Sequence, residues 1–286
     1  MRRITVIQSV VIGAAFTITV LLSFVHPWPA EGKSAQQAMV NQANSVPFDN
    51  LLKVSRAALG PDLASAVNIV ETSVTSERDA NKRAQLFDSI IHRLSAGKQY
   101  LMAAYFSEQK AVKNIGNSKD WQQVGERYRN AASFDQDQSH VAAIMVKARA
   151  AFDKALELDP NNLDAKVGVG ICVVESGQDP MSGIAMLLDV VAKDSNNVNA
   201  QLALGDFSVK RNAPDKAISR YKNALRIEPE FYGLHLSIAD LYVQLGDTAS
   251  AIGELQQYVQ KETDPQVKND VENAILRLQH PASTPK

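Results

Sequence analysis

Residues Ala217 to Pro229 read AISRYKNALRIEP. On a helix, Ala217, Tyr221 and Ala224 share one stripe, and Pro229 marks where that helix must already have ended. A small, large, small stripe followed by a stop is the demand of one helix packed tightly beside another. The composition agrees: 45% of the 286 residues are hydrophobic but only 6% are aromatic, so close surfaces must be built from alanine, glycine and aliphatics.

The pattern recurs. Helix-stop positions Pro160, Ser195, Pro229 and Thr263 stand 35, 34 and 34 residues apart, with DPNN at the first answered by DSNN at the second. Twelve, eight and five residues before each lie Ala148, Phe152 and Ala155; Gly183, Leu187 and Val190; Ala217, Tyr221 and Ala224; Ala251, Leu255 and Tyr258. The preceding helix of each unit carries a small residue for close approach: Gly125, Gly170, Gly205 and Ala239.

This periodicity resembles the tetratricopeptide repeat (TPR), whose signature is W-x2-L-G-x2-Y, then A-x3-F, then P over about 34 residues. Trp121, Val124, Gly125 and Tyr128 match its first helix, and Ala148, Phe152, Ala155 and Pro160 its second. Between them, an 11-residue insertion around SFDQDQSHVAA implies longer helices or a protruding loop in the first repeat. Val173 and Ser208 depart from the late aromatic of the first helix, and Tyr258 from the small residue of the second. The resemblance covers 118–265. It implies an all-α superhelical solenoid of antiparallel helix pairs.

Around these four repeats, residues 48–117 read as an N-terminal helical region. Within it 85–117 form a degenerate repeat marked by Ala104 and Ala111, and stripes run through Leu63, Ala66, Val67, Val70 and Val74 and through Phe87, Ile90, Ile91 and Leu94. At the other end, 266–280 is expected to be an amphipathic capping helix, with Val267, Val271, Ala274, Ile275 and Leu278 inward. A terminal repeat leaves an apolar face that such a helix covers.

From Ile4 to Val25 the chain runs 22 residues without a charge, enough at about 1.5 Å per residue to cross a hydrocarbon core of roughly 30 Å. Residues 1–25 are therefore expected to be an uncleaved transmembrane anchor, and the polar, proline-bounded 26–47 a flexible linker. A signal peptide is the rival reading; its apolar core is shorter, and a cut after Ala30 would place Trp28 in the small-residue pocket. Arg2 and Arg3 place the N-terminus in the cytoplasm, so the expected location is a bacterial inner membrane, single-pass, with the bulk periplasmic.

Charge narrows the partners. The net charge is −1, and from Asn161 to His280 there are 16 Asp and Glu against 11 Lys and Arg, a net of −5, which argues against a broad nucleic-acid footprint. One cysteine, Cys172, allows no intramolecular disulfide. Histidines 26, 92, 140, 235 and 280 stand singly without metal-ligand spacing; Gly168 and Gly170 lack the third glycine of a dinucleotide loop and read as packing positions. No nucleophile elbow, phosphate loop or convergent carboxylate pair appears, so neither an enzyme nor a cofactor or metal protein is expected.

A protein-binding groove is what remains. The inner face of TPR arrays, carried onto this chain, offers Val167, Ile171 and Val174 in the second repeat, Leu202, Asp206 and Val209 in the third, and Leu236, Asp240 and Val243 in the fourth. These positions lack the Lys, Arg and Asn set with which chaperone-type TPRs clamp a terminal carboxylate, so an apolar peptide with basic flanks is the expected ligand. The stretches AFDKALELDPNNLDAKVGVG and GQDPMSGIAMLL are similar to membrane-anchored TPR proteins of the Bacteroidetes group, which implies a scaffold. Two alternatives stand beside it: a chaperone or assembly factor for exported proteins, as in cytochrome c biogenesis, and a self-associating structural component of the membrane.

Overall fold

The computed structural model describes residues 47–280 except 115 and 178. Among them are thirteen α-helices and one 3-10 turn, without a strand. The described residues form two compact units that divide between Lys193 and Asp194. The expected span Ile4–Val25 and most of the expected linker lie outside the described residues; among those described, no helix is long and apolar enough to cross a membrane.

In the first unit, α1 (Phe48–Ala57), α2 (Pro61–Ser76), α3 (Ala80–Ala96) and α4 (Tyr100–Lys113) precede the regular repeats. Both predicted stripes point inward: Val67, Val70 and Val74 of α2 meet Phe87, Ile90, Ile91 and Leu94 of α3, closed by Met102 and Phe106 of α4. The opposite side of α4 presents Ala104 and Ala111 to the next pair, α5 (Ser118–Ser133) and α6 (Gln138–Leu158). Between those alanines, where later repeats hold a large apolar residue, stands Glu108. It accepts from the Tyr128 hydroxyl at 2.5 Å and the Lys147 ammonium at 3.2 Å. Lys147 also lies 5.0 Å above the Phe48 ring, which meets Tyr128 edge-on at 5.7 Å, so α1 is fastened against α4 and α6.

The insertion lengthens helices rather than making a large loop. α5 has 16 residues, α6 has 21, and only four residues, 134–137, separate them. Asp137 accepts from the Ser139 amide and starts α6 at once. Phe152 of α6 is 0% exposed, and a Cβ on Gly125 or on Gly168 of α7 (Leu163–Ser176) would come within 2.7 and 2.5 Å of its ring. Gly168 is thus a packing glycine, as is Gly170, whose carbonyl would lie 2.5 Å from a Cβ on Gly183 in α8 (Pro180–Lys193).

The second unit repeats the scheme with α9 (Val198–Lys210), α10 (Pro214–Ile227), α11 (Leu234–Gln244), α12 (Thr248–Lys261) and α13 (Pro265–Gln279). Ala217 and Ala224 are 0% exposed and Tyr221 is 5%. The small, large, small stripe is therefore the buried face of α10. In α13, Val271 and Ile275 join the cluster of Ala239, Ala251, Leu255 and Tyr258.

Turn chemistry accounts for the regular spacing of these elements. In DPNN and DSNN the aspartates Asp159 and Asp194 accept from the amides of Asn161 and Asn196, each at 3.0 Å, while Asn162 and Asn197 cap α7 and α9 through the amides of Ala165 and Ala200. Between the two helices of the second, third and fourth repeats stands one left-handed residue, Gly177 (φ 71°), Asn212 (φ 53°) and Gly246 (φ 76°), at the same 35- and 34-residue spacing.

Candidate protein-binding site

The nine sequence-predicted residues divide between the units. On α7, Val167 and Ile171 are interior side chains, 2% and 6% exposed, and offer a ligand almost no surface; Val174 is half-buried. An all-round apolar helix such as LDAKVGVGICVVES gives no polar stripe by which to tell its inner face from its packed ones. Cys172 on the same helix is buried, and desolvation pushes its thiol up to about 12, which leaves it unreactive.

On α9 and α11 the predicted positions separate into two kinds. Leu202 is half-buried against Ala217, Ile218, Tyr221, Ile238 and Leu241, and Leu236 against Ala239, Ala251, Leu255 and Tyr258. Both leucines serve the core. Val209 and Val243, 41% and 44% exposed, are the open apolar positions, and Leu245 just beyond α11 adds a third at 43%. Sequence reasoning missed Leu245 because it lies past the last repeat position normally carried over.

The two aspartates differ most. Asp206 is exposed and accepts a hydrogen bond from the Tyr221 hydroxyl at 2.6 Å. Burial, reinforced by the Asp206 charge and that bond, raises the Tyr221 phenol far above its ordinary range. Asp240 occupies the same repeat position, but Tyr221 is replaced there by Leu255, which has no hydroxyl. Asp240 is half-buried, has no hydrogen-bond or ionic partner among the described residues, and its carboxyl is raised by desolvation alone.

The difference goes with the residue just before each aspartate. A Cβ on Gly205 would sit 2.5 Å from the Tyr221 ring, so this tyrosine packs directly on the glycine; repeat four has Ala239 at the glycine's position and Leu255 at the tyrosine's. Across the other faces of these helices, Lys222 donates to the Tyr242 hydroxyl at 2.9 Å and lies 3.1 Å from Glu254, whose second oxygen is 2.7 Å from His235 Nδ1. That cluster fixes α10, α11 and α12 against one another. It contributes no cation to Asp240. No group of three His, Cys, Asp or Glu side chains among the described residues could hold a metal ion.

Comparison with known proteins places this arrangement. A tetratricopeptide repeat family model matches residues 208–269. A tetratricopeptide repeat protein from Parabacteroides merdae, 14% identical, superposes with a TM-score of 0.52 over 86% of this chain and 87% of that one. A thermophilic TPR protein from Thermus thermophilus, 15% identical, gives 0.51 over 68% and 99%. MamA from Desulfovibrio magneticus, 20% identical, gives 0.44 over 62% and 93%. No curated protein matches the sequence. At such identities the likeness speaks to the fold, which is that of TPR proteins.

Proposed function

We propose that this tetratricopeptide-repeat chain is a protein-binding scaffold, held at the periplasmic face of a bacterial inner membrane by residues 4–25. The observation that carries the binding role is the repeat of one exposed apolar position on successive first helices, Val209 and Val243, beside Asp206 and Asp240. An extended or helical segment crossing both helices meets an exposed valine near an aspartate on each. Covering roughly 60 Å² on each of a few such side chains, at about 25 cal/mol per Å², supplies a few kcal/mol before association entropy is subtracted. Micromolar capture of single segments follows.

The tether is supported by sequence: 22 uncharged residues follow Arg2 and Arg3, and a linker-like stretch separates them from α1. Photo-crosslinkers placed at 209 and 243 in intact cells are expected to trap protein partners, with far fewer trapped from exposed Val112 on α4. Equal trapping from all three positions would remove the assigned face. Protease added to spheroplasts should digest residues beyond the span; full protection, or a mature N-terminus near residue 31, would overturn the tether.

A further inference from the structure

We infer that the face of α11 carrying Leu236, Asp240 and Val243 selects a partner segment in which a lysine or arginine is set among aliphatic side chains, Asp240 being the group that takes the cation. The inference deepens the scaffold reading and rests on it. Its basis is the difference between two copies of one position. Asp206 is engaged by the Tyr221 hydroxyl, whereas the counterpart of that tyrosine in repeat four is Leu255, and Asp240 has no hydrogen-bond or ionic partner among the described residues.

A half-buried carboxylate without a donor is disfavoured by the lost hydration, and a cation brought by a ligand would restore what burial removed. The apolar neighbours set the rest of the preference. Val243 is 44% exposed one turn beyond Asp240 and Leu236 is half-buried one turn before it, so a segment whose basic residue reaches Asp240 covers apolar surface on both sides. An acidic segment would set like charges together in a poorly hydrated place. A wholly apolar one would leave the carboxylate further desolvated.

The test uses the full-length chain in detergent and three pools of labelled peptides with randomised aliphatic flanks, the central residue fixed as lysine, norleucine or glutamate. Binding of the lysine pool is expected to exceed the norleucine pool by about tenfold, the scale of one charge-assisted hydrogen bond, and the glutamate pool by more. In Asp240→Asn the lysine preference should fall to about twofold. The double variant A239G/L255Y, which transplants the glycine and tyrosine of repeat three, should lose the preference with Asp240 still present, because the new hydroxyl engages it. Melting curves verify that each variant is folded, and if the double variant is not, Asp240→Asn decides alone. Equal binding of lysine and norleucine pools would overturn the inference and leave the scaffold reading standing. Binding of no pool would overturn both.

Discussion

Repeats three and four meet the same packing demand with different pairs, and the difference reaches the surface. Gly205 lets Tyr221 lie flat across α9, and the tyrosine's hydroxyl then satisfies Asp206. Repeat four has Ala239 and Leu255 at these two positions, and Asp240 lacks the hydroxyl donor its counterpart has. A change of one methyl group at a helix crossing thus goes with whether the carboxylate on the next residue is engaged or available. Interior packing and ligand preference are coupled through the shape of one residue.

What the repeats share should be tested first, because it carries the largest effect. Ala217 and Ala251 are both 0% exposed on the packed faces of their helices, so Ala217→Leu and Ala251→Leu should each lower stability by about 2–3 kcal/mol in thermal or urea unfolding. Tolerance of either would mean that the two repeats are not in register. The next test separates them. Gly205→Ala drives a methyl into the Tyr221 ring and should cost about 1–3 kcal/mol, whereas Ala239→Gly only loosens its helix, at about 1 kcal/mol.

Tyr221→Phe removes one donor to Asp206 while keeping the ring, and should cost roughly 0.5–1 kcal/mol because Asp206 is exposed to water. Asp240→Asn, with no donor to lose, should instead stabilise, by up to about 1 kcal/mol at neutral pH. The sign of its pH dependence follows from the raised carboxyl. A folded-state value above the unfolded one means that the native chain binds the proton more tightly, so the penalty of Asp240 is complete above the folded value and disappears below the unfolded value of about 3.9. The gain from Asp240→Asn should therefore shrink as pH is lowered from 7 toward 4.

Much of this architecture was legible in the chain. The intervals of 35 and 34 residues and the small-large-small stripes located the helix pairs, because a 3.6-residue period with small residues at crossings has few other interpretations. All twelve stripe residues, from Ala148 to Tyr258, are buried. The insertion was legible as a count but not as a shape: eleven residues could have made a loop, and became extra helix because Asp137 caps α6 after four residues. The left-handed turn residues Gly177, Asn212 and Gly246 were readable at the same period, although an asparagine among glycines conceals it.

The site was less legible than the fold. Val167 and Ile171 sit at groove positions by repeat arithmetic, yet are interior, since arithmetic gives a helix face and not what covers it. Leu202 and Leu236 turned out to be shared between core and surface, which makes Val209 and Val243 the cleaner probes of binding. The inequality of Asp206 and Asp240 depends on a hydroxyl and a methyl on two other residues. A reading along one helix at a time does not see it, while a reading of Gly205 with Tyr221 and of Ala239 with Leu255 would have.

The most direct measurement is a double-mutant cycle in thermal unfolding that combines Asp240→Asn with A239G/L255Y. If the missing hydroxyl is what leaves Asp240 unengaged, the stabilisation from Asp240→Asn in the natural background should disappear in the transplanted one, a coupling of about 1 kcal/mol. The same gain in both backgrounds would show that tyrosine at 255 does not reach the carboxylate, and the proposed link between packing and ligand preference would fail.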